Sequence, residues 1–161
     1  MAAERQVWEL LAAVADPEIP VLSIVDLGIV REVREEAGGR LRVSITPTYS
    51  GCPATDVIRT LVRRALDAGG FADAALEEVL SPPWSSAWLS AAGREKLRAF
   101  GIAPPEEPVT GLRQLTAAPP VSCPRCASRE TIRVSEFGST PCKAHYRCDA
   151  CGEPFDYFKC L

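Results

Sequence analysis

Cys123-Pro124-Arg125-Cys126 and Cys148-Asp149-Ala150-Cys151 are two Cys-x-x-Cys pairs with 21 residues between them, and no other feature restricts the fold of this chain so tightly. A tetrahedral zinc ion takes four soft ligands, and a two-residue gap lets one tight turn present two thiolates to it. The separation is one residue beyond the span usual for this pattern. Between the pairs, Thr131-Ile132-Arg133-Val134 and Ala144-His145-Tyr146-Arg147 read as the strands of a hairpin. A segment this short buries too little apolar surface to fold unaided, and a metal supplies what is missing. The expectation is a β zinc ribbon over residues 121–161 with Cys123, Cys126, Cys148 and Cys151 as ligands. A redox pair of Cys-x-x-Cys motifs and an iron–sulfur cluster are the competing readings of the same four thiols.

Of the seven cysteines, only Cys52 precedes residue 120. That asymmetry predicts two units stabilised in different ways. Cys142 and Cys160 each lie nine residues from Cys151. If the chain reverses near Cys151, they lie roughly opposite one another on adjacent strands, on the order of 20 Å from the zinc at strand rise. They are a candidate second thiol site, against the plainer reading of two packed cysteines. His145, the sole histidine, reads as a packing or surface residue of its strand. From residue 121 onward six Lys or Arg stand against five Asp or Glu, and the whole chain carries a net charge of −3; neither balance suits a surface that tracks nucleic-acid phosphates.

Ahead of the ribbon the hydrophobic pattern alternates between helix and strand. Val7, Leu10, Leu11 and Val14 form one helical stripe over residues 4–15, closed by Asp16-Pro17-Glu18-Ile19-Pro20. Ile29 to Val33 and Arg40 to Thr46 read as a hairpin turning at Ala37-Gly38-Gly39, followed by a helix from Ala54 to Ala68, a stop at Gly69-Gly70 and a strand from Ala74 to Leu80. Ser85 or Ser86 would cap a further helix running to Phe100, with Trp84 and Trp88 anchoring it to a core or, as the lesser reading, forming an exposed partner-binding patch. The prolines at 104, 105, 108, 119 and 120 predict an extended linker over residues 102–120. The fold class expected is α+β: a small α-β-β-α-β sandwich domain over residues 1–101, then the linker, then the ribbon. No apolar run approaches membrane-spanning length, and Met1-Ala2-Ala3-Glu4-Arg5 enters the first helix without a secretory pattern, so a cytoplasmic protein is expected.

Thr46-Pro47-Thr48-Tyr49-Ser50-Gly51-Cys52-Pro53-Ala54 joins the second strand to the second helix. Cys52 therefore falls where a helix begins, with Pro53 suited to the first helical position. Free backbone N–H groups and the positive end of the helix dipole favour a thiolate there. The thiol is a candidate metal ligand or nucleophile, or a small apolar residue at a cap. Nucleophilic catalysis lacks a nearby base, because His145 lies beyond the linker. Asp16, Glu18 and Asp26 could approach Cys52 as carboxylate partners or could cap their own turns.

Asp16-Pro17-Glu18-Ile19-Pro20, Asp26-Leu27-Gly28-Ile29-Val30 and Gly51-Cys52-Pro53 resemble the small iron–sulfur assembly factors of the SufT-like family. Pro82-Pro83-Trp84, the run from Phe100 to Pro105, the run from Glu136 to Lys143 and Pro154-Phe155-Asp156-Tyr157-Phe158-Lys159-Cys160 narrow the resemblance to the PaaD family of bacterial phenylacetate degradation, over almost the whole chain. The resemblance implies an accessory or maturation role beside the phenylacetyl-CoA epoxidase, a multicomponent di-iron oxygenase fed by a flavin and iron–sulfur reductase, and no catalysis by the chain itself. It places the family's reactive cysteine on Cys52, its acidic motif residue on Asp26, Glu18 within the motif, and the hydroxyl position on Thr48 or Ser50. Cofactors so implied are structural zinc and a transient iron or iron–sulfur cluster. The partners are the epoxidase components, above all the reductase, with no nucleic acid and no membrane. The other half of a Cys52 site would come from a second protomer in a homodimer, a client, or the cysteines at the ribbon tip. A stoichiometric structural subunit of the oxygenase and, further off, a zinc-ribbon nucleic-acid-binding protein are the alternative readings.

Overall fold

The structure, a computed structural model, describes residues 2–49, 51–106 and 121–159. The chain divides into two compact units, Met1–Gly93 and Arg94–Leu161. Among the described residues no helix is long and apolar enough to cross a membrane.

In the first unit, α1 (Ala2–Ala12) buries Val7 and Leu11 and packs on β1 and α2. β1 (Val30–Glu35) and β2 (Leu41–Ile45) form an antiparallel hairpin. α2 (Ala54–Ala68) then carries the chain across to β3 (Ala75–Glu78), parallel to β2. The order β1-β2-β3 puts β2 in the centre, where Leu41, Val43 and Ile45 are all buried. α2 answers with Ile58, Val62 and Leu66, an i, i+4, i+8 stripe that is buried along its length. The α-β-β-α-β order read from periodicity is the order observed.

Two local expectations differ from the structure. α1 ends at Ala12, before the expected residue 15. The chain leaves the helix so that the Asp16 carboxylate can accept the N–H groups of Glu18 (2.9 Å) and Ile19 (2.7 Å), a turn an unbroken helix would forbid. The helix expected from Ser85 or Ser86 to Phe100 is two pieces. Ser85 caps a single 3₁₀ turn, Ser86–Trp88, and α3 (Ala91–Ala99) starts afresh. Ser90 caps α3 by accepting the Gly93 N–H at 2.8 Å. Trp84 is buried and donates its indole N–H to the Leu27 carbonyl, whereas Trp88 is half-buried beneath the Arg31 guanidinium, 3.2 Å from its ring centroid. Gly28, at φ +68°, lies under Trp88; a Cβ there would come within 2.6 Å of the Trp88 carbonyl oxygen.

The second unit is a four-stranded sheet in the order β4 (Ile102–Ala103), β7 (Pro154–Phe158), β6 (Lys143–Cys148), β5 (Thr131–Ser135). β4 runs parallel to β7, and the remaining pairs are antiparallel. Its core is built by Ala103, Val121, Ala144, Tyr146, Phe155 and Tyr157, with the Tyr146 ring stacked on Phe155 and edge-on to Tyr157. The linker expectation is corrected at its start: Ile102 and Ala103 are a strand of the ribbon sheet, and Pro104 and Pro105 are buried. The rest of the expected linker, residues 107–120, lies outside the described residues.

The ribbon hairpin sets the register around Cys142. The Cys148 N–H bonds to the Glu153 carbonyl at 2.9 Å, which centres the reversal between Ala150 and Cys151, near the expected Cys151. Lys143 then faces Phe158, and the Lys159 N–H bonds to the Cys142 carbonyl at 2.9 Å. Cys142 is thus opposite Lys159. Cys142 is buried. Cys160 lies outside the described residues.

Candidate metal centre

The four ribbon cysteines converge. Their Sγ atoms all lie within 4.8 Å of one another, with Cys123 and Cys151 at 3.8 Å and Cys126 and Cys148 at 3.6 Å. A zinc ion with Zn–S bonds of about 2.3 Å at tetrahedral angles sets its sulfurs about 3.8 Å apart, the spacing of these two pairs, so the four-thiol donor set suits zinc.

The two knuckles reach this arrangement by the same backbone route. In the first, the Ala127 N–H returns to the Cys123 carbonyl and the Cys123 N–H to Ser128; in the second, Gly152 returns to Cys148 and Cys148 to Glu153, all at 2.9 Å. Each ends on a left-handed residue, Ala127 at φ 60° and Gly152 at φ 77°. Arg125 of one knuckle pairs with Glu153 of the other at 2.5 Å. The thiols are too close to ionise independently. Burial disfavours the Cys148 thiolate, yet the Cys151 N–H and the Cys126 thiol bring it down to about 7. At Cys126 the Ser128 N–H favours ionisation, but the neighbouring Cys151 thiol and desolvation outweigh it and push the thiol up to about 12. Thiolates crowded this closely repel, so one forms at the expense of its neighbours.

The Cys52 loop is built differently. Thr46 fixes its entry, its N–H bonded to Ile29 and its hydroxyl donating to the Val79 carbonyl at 2.7 Å. The Cys52 N–H is directed to the Tyr49 carbonyl at 3.2 Å, and the Cys52 carbonyl accepts from the Thr55 N–H at 3.1 Å. Helix α2 starts at Ala54, and Pro53 is its N-cap with helical φ and ψ, one residue earlier than expected of it. Cys52 is half-buried, as are Glu18 and Thr48, while Ser50 lies outside the described residues.

The acidic residues have local work. Asp16 caps the turn at Glu18 and Ile19. Asp26 is buried; its carboxylate accepts from the Ser23 N–H and hydroxyl at 3.0 Å and from the Ser90 hydroxyl at 3.1 Å, tying the turn over residues 23–28 to the start of α3. Among the described residues, the four ribbon cysteines are the one group of three or more His, Cys, Asp or Glu placed to hold a metal ion. Cys52, Asp26 and Glu18 are therefore not gathered into a second such set. Sequence reasoning missed Ser23 and Ser90 as the partners of Asp26. The signal for Ser90 was its place three residues before Gly93, the spacing of a serine N-cap.

Residues 4–81 match the family described as iron-sulfur cluster assembly protein, and residues 107–159 match the PaaD zinc beta ribbon domain. The chain is 49% identical, over 98% of its length and 93% of the relative's, to a protein of Escherichia coli (strain K12) provisionally named as one of the subunits of 1,2-phenylacetyl-CoA epoxidase. It is 33% identical, over 54% of its length and 83% of the relative's, to an Fe-S protein maturation auxiliary factor of Porphyromonas gingivalis (strain ATCC BAA-308 / W83). The crystal structure of a domain of unknown function, DUF59, from Bacillus anthracis superposes with a TM-score of 0.55 at 30% identity, covering 60% of this chain and 92% of that one.

Proposed function

This chain belongs to the PaaD family, and from that premise we propose that it is an accessory maturation factor that hands iron or an iron–sulfur cluster to the phenylacetyl-CoA epoxidase system in the cytoplasm, with Cys52 as the transient ligand. The observation that carries the reading is the contrast between its two thiol environments. Four ribbon cysteines form a closed set suited to a resident zinc, whereas Cys52 is a half-buried thiol to which no set of described carboxylates, thiols or imidazoles is joined. A closed tetrahedral site stores its ion, and a single thiolate leaves the other coordination positions of its cargo to a recipient. Hand-over is then ligand exchange: a thiolate of the recipient bonds to iron as the Cys52–iron bond breaks, with no change of oxidation state. The chain itself performs no epoxidation in this reading, and its partner is the reductase component that carries the cluster.

Anaerobic co-purification with the reductase component, reading iron, sulfide and zinc per chain, tests it. Cys52→Ser should keep about one zinc per chain and lower the cluster content of the reductase; full cluster loading with this variant refutes the proposal. The name of the Escherichia coli relative supports a second reading, a stoichiometric structural subunit of the oxygenase. Co-purification at fixed ratio and indifference to Cys52→Ser would select that one.

A further inference from the structure

The four ribbon thiols are not equivalent. In each knuckle the first cysteine is buried in the ribbon core, Cys123 at 2% exposure and Cys148 at 0%, while the second, Cys126 or Cys151, is exposed. The backbone route that the knuckles share produces this split. The N–H and carbonyl of each first cysteine are bonded within its own knuckle, to Ser128 and Ala127 in one and to Glu153 and Gly152 in the other. That seats the first cysteine in the cluster of Val121, Tyr146 and Phe155 and leaves the second in the turn, where solvent reaches it. Two sulfur pairs touch across the knuckles, and each joins an exposed thiol to a buried one: Cys151 with Cys123 at 3.8 Å and Cys126 with Cys148 at 3.6 Å. The Arg125–Glu153 ion pair spans the same two knuckles.

We propose that Cys126 and Cys151 are modification sites for hydrogen peroxide, and that their oxidation ties the two knuckles together by disulfides and makes the ribbon give up its zinc. The proposal rests on zinc as the resident ion. Oxidation of a cysteine follows its thiolate character and its access to the oxidant. All four sulfurs are thiolates when they ligate the ion, so access decides, and it singles out one cysteine of each knuckle. The chemistry balances with peroxide as the sole co-reactant. The Cys126 sulfur attacks one peroxide oxygen, the O–O bond breaks and hydroxide leaves, giving the sulfenic acid. The touching Cys148 thiolate attacks that sulfur, the S–O bond breaks and a second hydroxide leaves as the Cys126–Cys148 disulfide forms. Two electrons pass from the two sulfurs to one peroxide. Cys151 and Cys123 react in the same way with a second peroxide. A single such disulfide leaves two thiolates where a tetrahedral zinc site needs four ligands, too few to hold the ion. Because the bridge spans the 21 residues between the knuckles, it keeps the ligand pairs side by side, and a thiol reductant regenerates the site.

The test treats the full zinc-loaded chain with hydrogen peroxide, follows zinc release with a chromophoric chelator, and maps disulfides by mass spectrometry after trypsin, which cuts between the knuckles. Zinc should leave in step with the first disulfide, the cross-links should join Cys126 to Cys148 and Cys123 to Cys151, and dithiothreitol with added zinc should restore the full zinc content. Separately, sub-stoichiometric iodoacetamide on the zinc-loaded chain should label Cys126 and Cys151 at least about tenfold more than Cys123 and Cys148, as their difference in access requires. Retention of zinc at a peroxide dose that oxidises the half-buried Cys52, disulfides confined within a knuckle or made to Cys142 or Cys160, or equal labelling of all four ribbon cysteines overturns the proposal. A chain that holds no zinc before the oxidant is added overturns it together with the zinc assignment, and leaves the reading of Cys52 standing.

Discussion

Exchanging the residues that end the two knuckles should move the stability of the ribbon in opposite directions. Ala127 and Gly152 occupy equivalent places, each sending its N–H back to the first cysteine of its knuckle, and both are left-handed. An L-residue in that region costs about 1–2 kcal/mol, while glycine carries an unfolded-state entropy penalty of about 0.5–1 kcal/mol. The difference leaves Ala127→Gly more stable by roughly 0.5–1 kcal/mol and Gly152→Ala less stable by the same amount. No steric term complicates the second change, because a Cβ on Gly152 meets no atom within 4 Å. Zinc binding and ribbon folding share one equilibrium, so the same difference should appear as a shift of about two- to fivefold in apparent zinc affinity. Denaturation of the zinc-loaded chain and competition with a chelator would each measure it. Shifts of the same sign in the two variants, or a neutral Gly152→Ala, would refute the backbone argument.

Asp26→Ala should cost the first unit about 2–4 kcal/mol, since it strands the buried Ser23 N–H and removes the tie to Ser90; urea denaturation reads it, and Asp26→Asn should recover part of the loss. A strong chelator near neutral pH should abolish the near-ultraviolet signal of Tyr146 and Tyr157 while the helical signal of α1 and α2 persists, because the ribbon core is built around two of the cysteine ligands, Cys123 and Cys148. Burial pushes the Tyr146 phenol above its ordinary value of 10. Its neutral form is therefore the one the fold favours, so its contribution is fully present below pH 10 and is lost as pH rises through the raised value. An alkaline titration followed by phenolate absorbance should find Tyr146 ionising last or only with unfolding, and Tyr146→Phe should remove that alkaline step.

What the sequence determined by itself is what local free energies decide. A two-residue gap between cysteines permits one kind of knuckle, so Cys123, Cys126, Cys148 and Cys151 were legible as a set before any fold was known. Likewise the stripe of Ile58, Val62 and Leu66 and the alternation of Leu41, Val43 and Ile45 sufficed for the α-β-β-α-β order, because each element must hide one face. Only the tertiary structure decided the rest. The residue opposite Cys142 was set by the β6–β7 ladder, which pairs Lys143 with Phe158 and so puts Lys159 across from Cys142, a choice a period-two pattern leaves open. Ile102 and Ala103 became a strand by pairing with β7 more than fifty residues away in sequence, against a proline-rich composition that spoke locally for a linker. Asp26 read equally as a partner of Cys52 or a cap of its own turn, and Ser90, 64 residues on, supplied a tie that no local reading contained. In each case the deciding contact is long-range, and no window of sequence holds both of its ends.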